Sequence, residues 1–98
     1  MITETEINQF ISWLTDNFYE VPFKVSYTFS IGKKYIKIIR HYSNGQRVVY
    51  AFLDFEGNIY MPACWSRPAK HVRGHISSPE LCCGRYGVKY INENLNIK

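Results

Sequence analysis

The strictest constraint on the fold is an alternation of apolar and polar residues over positions 23–31. Aromatic and aliphatic side chains occupy the odd positions, and Lys, Ser and Thr occupy the even ones. Because successive side chains of a strand point to opposite faces, this pattern predicts a half-buried strand with one solvated face. The apolar face of such a strand has to pack against another element.

An amphipathic helix at the N-terminus is predicted to supply that element. Thr3 and Glu6 match a capping box, in which each side chain satisfies a backbone N–H of the other residue. Apolar residues then recur at helical spacing, namely Ile7, Phe10, Ile11, Leu14 and Phe18. Pro22 is predicted to end the helix, since the residue before a proline avoids the helical region. Trp13 lies off the apolar stripe and is expected at the margin of the core, with exposure for a partner as the alternative.

Three further strands are predicted, each bounded by a turn. The second covers residues 34–42. It is followed by residues 43–46, whose Asn44-Gly45 pair predicts a hairpin with a type I′ turn. The third covers residues 47–54 and is apolar on both faces, so we expect it at the centre of the sheet. A short fourth strand over residues 59–61 is predicted to stop at Pro62.

The last third of the sequence is less regular. We predict an ordered loop over residues 63–84 with one helical turn near Pro68, a fifth strand over 86–91 and a polar tail over 92–98. The fold class is therefore predicted as α+β in a single domain, residues 1–98. A helix packs on an antiparallel meander of about four to five strands, with an ordered, proline-rich basic loop.

Charge is unevenly distributed along the chain. Residues 1–22 carry four acidic residues and no Lys or Arg, whereas residues 23–98 carry all twelve Lys and Arg. This asymmetry favours an anionic partner, although a solvated basic face without a partner explains it equally well. The sequence contains no apolar run long enough to span a membrane and no signal-peptide pattern, so we expect a cytosolic protein without a membrane partner.

One stretch resembles a known pattern. It reads Asp54-x-x-Gly57-x-Ile59-Tyr60-x-Pro62-Ala63-x-Trp65-x-x-Pro68-Ala69-Lys70-x-x-Arg73-Gly74-x-Ile76. It is similar to a pattern in small uncharacterised proteins of bacteriophages and other viruses, where a VYAFLD-like strand precedes it and a Tyr-Gly-x-x-Tyr element follows. The resemblance covers residues 48–90 and implies a viral origin, hence a location in the host cytoplasm. It brings no established activity.

Basic and aromatic side chains within this stretch are the candidate binding residues. The set comprises Arg67, Lys70, His71, Arg73 and Trp65, to which we add Lys37 and Arg40 on the second strand. Cations that contact a backbone, together with rings that stack on bases, are what single-stranded nucleic acid requires. The alternative is structural: Lys70 and Arg73 would pair with Asp54 or Glu56. Trp65 is predicted to anchor the segment to the core, with base stacking as the alternative.

Metal binding and catalysis are less well supported. Cys64, His71, His75, Cys82 and Cys83 could supply zinc ligands, but their spacing matches no familiar zinc site. Neighbouring cysteines such as Cys82 and Cys83 are expected to be one buried thiol beside one exposed thiol. Cys64 with either histidine could form a nucleophile pair, yet no catalytic motif is present. We therefore expect the protein to use no cofactor and to have no enzymatic activity.

The sequence thus favours a virus-encoded accessory protein that acts by binding nucleic acid. One alternative is a modulator or inhibitor of a host defence factor, bound through an acidic surface of that factor. Another is a minor structural or assembly protein. Whether the chain forms a homodimer stays open at this point.

Overall fold

The structure is a computed structural model and describes residues 1–18, 24–84 and 87–88. Its elements are α1 (Glu4–Phe18), β1 (Val25–Ile31), β2 (Ile36–Tyr42), β3 (Arg47–Leu53), β4 (Asn58–Cys64), β5 (Arg67–His75), a 3₁₀ turn (Pro79–Leu81), β6 (Cys83–Gly84) and β7 (Gly87–Val88). Strands β1 to β5 form an antiparallel sheet in chain order, and β6 pairs with β7. The predicted α+β fold, a helix on an antiparallel meander, is confirmed.

Some predictions concern residues outside the described ranges. These are the helix end at Pro22, the tail over 92–98 and most of the strand over 86–91. Within that last range, Gly87–Val88 is extended, but it pairs with Cys83–Gly84 instead of joining the five-stranded sheet.

Helix α1 begins at the predicted capping box. The Thr3 N–H donates to Glu6 Oε1 at 2.9 Å, and the Glu6 N–H donates to Thr3 Oγ1 at 3.2 Å. Ile7, Phe10 and Leu14 are buried against the sheet, where they meet Ile36, Ile38, Leu53 and Ile59. Trp13 packs at the margin of this core, as predicted, with its ring edge-on to Phe18.

The β2–β3 and β3–β4 loops have the same backbone geometry, and the β2–β3 loop therefore differs from the type I′ turn predicted for it. In both loops a backbone bond closes a four-residue turn, from the Gly45 N–H to the Tyr42 carbonyl and from the Gly57 N–H to the Asp54 carbonyl. Among the described residues only glycines have positive φ, 96° at Gly45 and 90° at Gly57. Asn44 is not one of them, so this is the three-residue loop in which a glycine follows a type I turn.

Most of the predicted basic loop is a β-hairpin. Strand β4 does not stop at Pro62 but continues to Cys64, and β5 returns over residues that were predicted to be loop. The described part of β4 pairs with β3 only at Tyr60 and Ile59. Beyond Tyr60, β4 and β5 continue as a two-stranded arm that turns at Trp65 and Ser66. We call residues 61–73 the β4–β5 arm.

Candidate nucleic-acid interface

The sheet face opposite α1, called here the open face, is solvated along β1 as predicted. Ser26, Thr28 and Ser30 are exposed, whereas the intervening Tyr27 is buried in the core beneath the helix. Strand pairing aligns further residues with them across the sheet. One row contains Ser26, His41 and Arg47, and a second row contains Ser30 and Lys37. The open face therefore combines hydroxyl groups with cationic side chains.

Trp65 lies over this face at the tip of the β4–β5 arm. Its ring centroid is 4.4 Å from Lys37 Nζ and 5.2 Å from Arg47 Cζ. Trp65 remains 45% exposed, so the prediction that it anchors the segment in the core is wrong. Instead, two cations from neighbouring strands hold the indole through its electron-rich ring. The result is an exposed aromatic ring with two positive charges over it.

Aromatic packing supports the base of the arm. Phe52 and Tyr60 face each other across β3 and β4, and the ring of Tyr35 meets both edge-on, at 6.3 Å and 5.7 Å between centroids. Phe52 is only 3% exposed as a result. The Tyr60 hydroxyl donates to Asp54 Oδ2 at 3.0 Å, which ties β4 at the base of the arm to the β3–β4 turn.

Asp54 stabilises that turn with its carboxylate. Besides Tyr60, its oxygens accept bonds from the backbone N–H groups of Glu56 and Asn58 and from the Asn58 side chain. Partial burial raises the pKa of Asp54, but these hydrogen bonds favour the ionised form more strongly, and the net pKa is lowered. The turn also holds His75, whose Nε2 lies 2.7 Å from the Glu56 carbonyl.

If the basic residues only stabilise the fold, Lys70 and Arg73 are expected to form ion pairs with Asp54 or Glu56. Within the described ranges, Glu56 pairs with the Met1 amino group at 3.8 Å, and Lys70 makes no ion pair. The Asp54 carboxylate is already engaged by its own turn. Lys70 is therefore available at the surface.

The predicted site residues on β5 differ in exposure. Arg67, Lys70 and His71 are exposed along β5, and Arg73 on the same strand is half-buried.

Arg40 does not belong to the open face. It is 6% exposed and lies on the helix side, where its Nε and Nη2 donate to the Tyr27 hydroxyl at 2.9 Å and 2.6 Å. Its guanidinium also lies over the rings of Tyr27 and Tyr50. Because residues three apart on a strand point to opposite faces, Lys37 and Arg40 cannot share a surface. This parity was visible in the sequence, since Arg40 follows the spacing of Ile36 and Ile38.

Arg47 was missed at the sequence level. It lies directly opposite His41 in the β2–β3 pair, which places it on the open face. The predicted two-residue type I′ turn would pair Arg47 with Tyr42 and turn it to the other face, and only the three-residue loop places it opposite His41. Its contact with Trp65 depends on the distant β4–β5 arm, and nothing in the local sequence indicates it.

The candidate metal ligands do not converge. No group of three or more His, Cys, Asp or Glu residues in the described part of the chain could hold a metal ion. Cys64 is exposed at the tip of the arm, whereas Cys82 and Cys83 are both buried, so the expectation of one exposed neighbour is wrong. The Cys82 side chain packs against Gly74, where an added Cβ would lie 2.5 Å from its Sγ.

The sequence comparisons identify the family. A family model matches residues 3–83, and the chain belongs to that family, which is described as a family of unknown function, DUF7717. No curated protein and no solved structure matches the chain. Among the described residues, no helix has the length and apolar character needed to cross a membrane.

Proposed function

We propose that this protein binds single-stranded nucleic acid through the open face, with Trp65, Lys37 and Arg47 as the central contacts. The observation that supports this most directly is the exposed Trp65 ring held against two cations. We also propose that it is a virus-encoded accessory protein of the host cytoplasm, on the basis of the sequence pattern of residues 48–90.

The chemistry of the surface fits the two parts of a nucleotide. An exposed indole offers a flat apolar surface on which an unpaired base can stack, and alanine substitution of such rings costs about 1–3 kcal/mol per base. Lys37 and Arg47 lie over the ring and can neutralise the phosphate next to a stacked base. In a duplex the bases are already stacked on each other, so we expect single strands to be preferred.

The surroundings extend this surface in two directions. Arg67 is exposed in the arm, directly after its tip in the chain, and Lys70 and His71 follow it on β5. On the other side, the β1 hydroxyls of Ser26 and Ser30 can donate to phosphate or sugar oxygens. A bound strand would thus have cations and hydroxyl donors on both sides of the stacked base.

Tryptophan fluorescence offers a direct test, because the chain has two tryptophans on opposite sides of the sheet. Trp13→Phe leaves Trp65 as the only indole. Titration of this variant with single-stranded oligonucleotides of about 12 nucleotides, within the usual site sizes for such surfaces, should quench the emission. The matched control is Trp65→Phe, which keeps only Trp13 and should show no comparable quenching.

Two results would count against the proposal. One is an unchanged emission of Trp13→Phe with DNA and RNA at about 50 mM salt, where electrostatic binding is strong. The other is equal quenching of both variants, which would place the contact elsewhere. In the first case an acidic surface on a host protein becomes the better partner, because a partly exposed tryptophan with flanking arginine is also typical of protein interfaces.

A further inference from the structure

The two edges of the five-stranded sheet differ in how well they are protected. Strand β5, at one edge, carries Pro68 and several cations, and its pairing with β4 is interrupted by bulges. Strand β1, at the other edge, pairs with β2 in continuous register from Val25 to Ile31 and contains no charged residue. Prolines, charges and bulges are the devices that prevent edge-to-edge pairing, and β1 has none of them.

The backbone groups of β1 that face outward can be derived from its pairing with β2. The Ser43 N–H donates to the Lys24 carbonyl, and the Gly32 N–H donates to the Tyr35 carbonyl. These contacts identify the even-numbered residues as the ones that exchange hydrogen bonds with β2, because such pairs alternate along an antiparallel ladder. The N–H and C=O groups of Val25, Tyr27, Phe29 and Ile31 therefore point away from β2. No strand among the described residues pairs with them.

We propose that β1 pairs with β1 of a second copy of this chain, antiparallel and about a two-fold axis at Thr28. This register is the symmetric one that uses all seven residues and lets the outward groups bond each other. Val25 then faces Ile31 of the second copy, and Tyr27 faces its Phe29.

The side chains of β1 are self-complementary in this register. On the open face Thr28 meets Thr28, and Ser26 meets Ser30, which are favourable cross-strand neighbours. On the helix side only apolar and aromatic side chains meet. Ile31, 50% exposed in the single chain, would be covered by Val25. Antiparallel pairing about Thr28 therefore buries apolar surface and brings no two like charges directly opposite each other.

This pairing has a consequence that rests on the proposed function. A two-fold axis perpendicular to the sheet keeps both open faces on the same side of one continuous sheet. Each Trp65 ring lies over both β2 and β3, so about four strand spacings separate the two rings across the paired β1 strands. At about 4.8 Å per strand this gives roughly 20 Å. One bound single strand could then contact both copies.

Charge-pair exchange at Thr28 tests the pairing itself. Thr28 is exposed, so Thr28→Lys and Thr28→Asp should both fold, which circular dichroism can verify. Each variant alone places like charges across the axis and should sediment as a monomer at concentrations where the wild-type chain is a dimer. An equimolar mixture of the two should form a heterodimer, because opposite charges then meet at the axis.

The measurement is sedimentation velocity without nucleic acid, so its outcome is independent of the proposed function. Gln46→Lys adds the same charge in the exposed β2–β3 turn and should leave the dimer intact. Lys24 and Lys33 lie just beyond the paired ends, so the dimer should strengthen as salt rises, opposite to nucleic-acid binding. A monomeric wild-type chain, or a Thr28→Lys and Thr28→Asp mixture that does not associate, would overturn the proposal.

Discussion

Pro62 of β4 lies directly opposite Pro68 of β5. Neither residue has a backbone N–H, so the ladder loses both donors at this position. Register shifts flank the pair on both sides. The interruption falls within the β4–β5 arm, between the part of β4 that pairs with β3 and the tip that carries Trp65 over Lys37. We infer that the two prolines allow the arm to bend over the open face.

The opposite orientations of Lys37 and Arg40 predict different effects of the same substitution. Arg40→Met removes the donors of the buried Tyr27 hydroxyl and should lower the free energy of unfolding by about 1–3 kcal/mol. Lys37→Met on the open face should cost less than about 1 kcal/mol. Urea denaturation of both variants measures the difference, and equal losses would contradict the assignment of the two faces.

The contrast between these two residues also shows how far the sequence could be interpreted. Periodicity and capping were sufficient for α1 and β1, because their patterns are local and unbroken. Parity alone could have separated Arg40 from Lys37. The β4–β5 arm was not predictable by the same rules, because a single Pro62 argues against a strand, and the pair with Pro68 becomes evident only in the folded structure.

Trp65 illustrates a second limit. Its size favours burial, and the exposed position depends on Lys37 and Arg47, which lie far from it in the sequence. Single-sequence reasoning has no access to such contacts between distant strands.

Leu14 tests the packing of α1. It is fully buried between the helix and the sheet, so Leu14→Ala should reduce the free energy of unfolding by roughly 2–5 kcal/mol. Asn8→Ala changes an exposed residue of the same helix and serves as the control, with no loss expected. A loss below about 0.5 kcal/mol for Leu14→Ala, within the range of surface substitutions, would show that the helix does not dock at this position.

Asp54 should make stability depend on pH in the acid range. Because its folded-state pKa is lowered, the ionised carboxylate stabilises the fold above the unfolded pKa of about 3.9. That contribution is lost as the pH falls from this value through the lowered folded-state pKa. Asp54→Asn should therefore be less stable at neutral pH and show a weaker fall in Tm below pH 4. Parallel acid profiles of the two proteins would contradict this role.

The three thiols should differ sharply in reactivity. Cys64 is exposed, and the pKa of its thiol is lowered by hydrogen bonds from the Ser66 hydroxyl and backbone and by the nearby Arg67. Cys82 and Cys83 are buried. We expect one thiol per native chain to react rapidly with an alkylating reagent, and Ser66→Ala to slow that reaction. Cys64→Ser should abolish it, and rapid labelling that persists in Cys64→Ser would contradict the burial of the other two.

The salt dependence of single-strand binding tests the central claim most directly. Each neutralised phosphate contributes about −0.7 to the slope of log K against log salt, so contacts by Lys37, Arg47 and Arg67 predict a slope of roughly −2. The double variant Lys37→Ala with Arg47→Ala should flatten this slope by about 1.4, because two contacts are lost. Lys33→Ala removes a cation from the β1–β2 turn and should leave the slope unchanged. If the double variant binds with the wild-type slope, the open face does not bind the phosphate backbone.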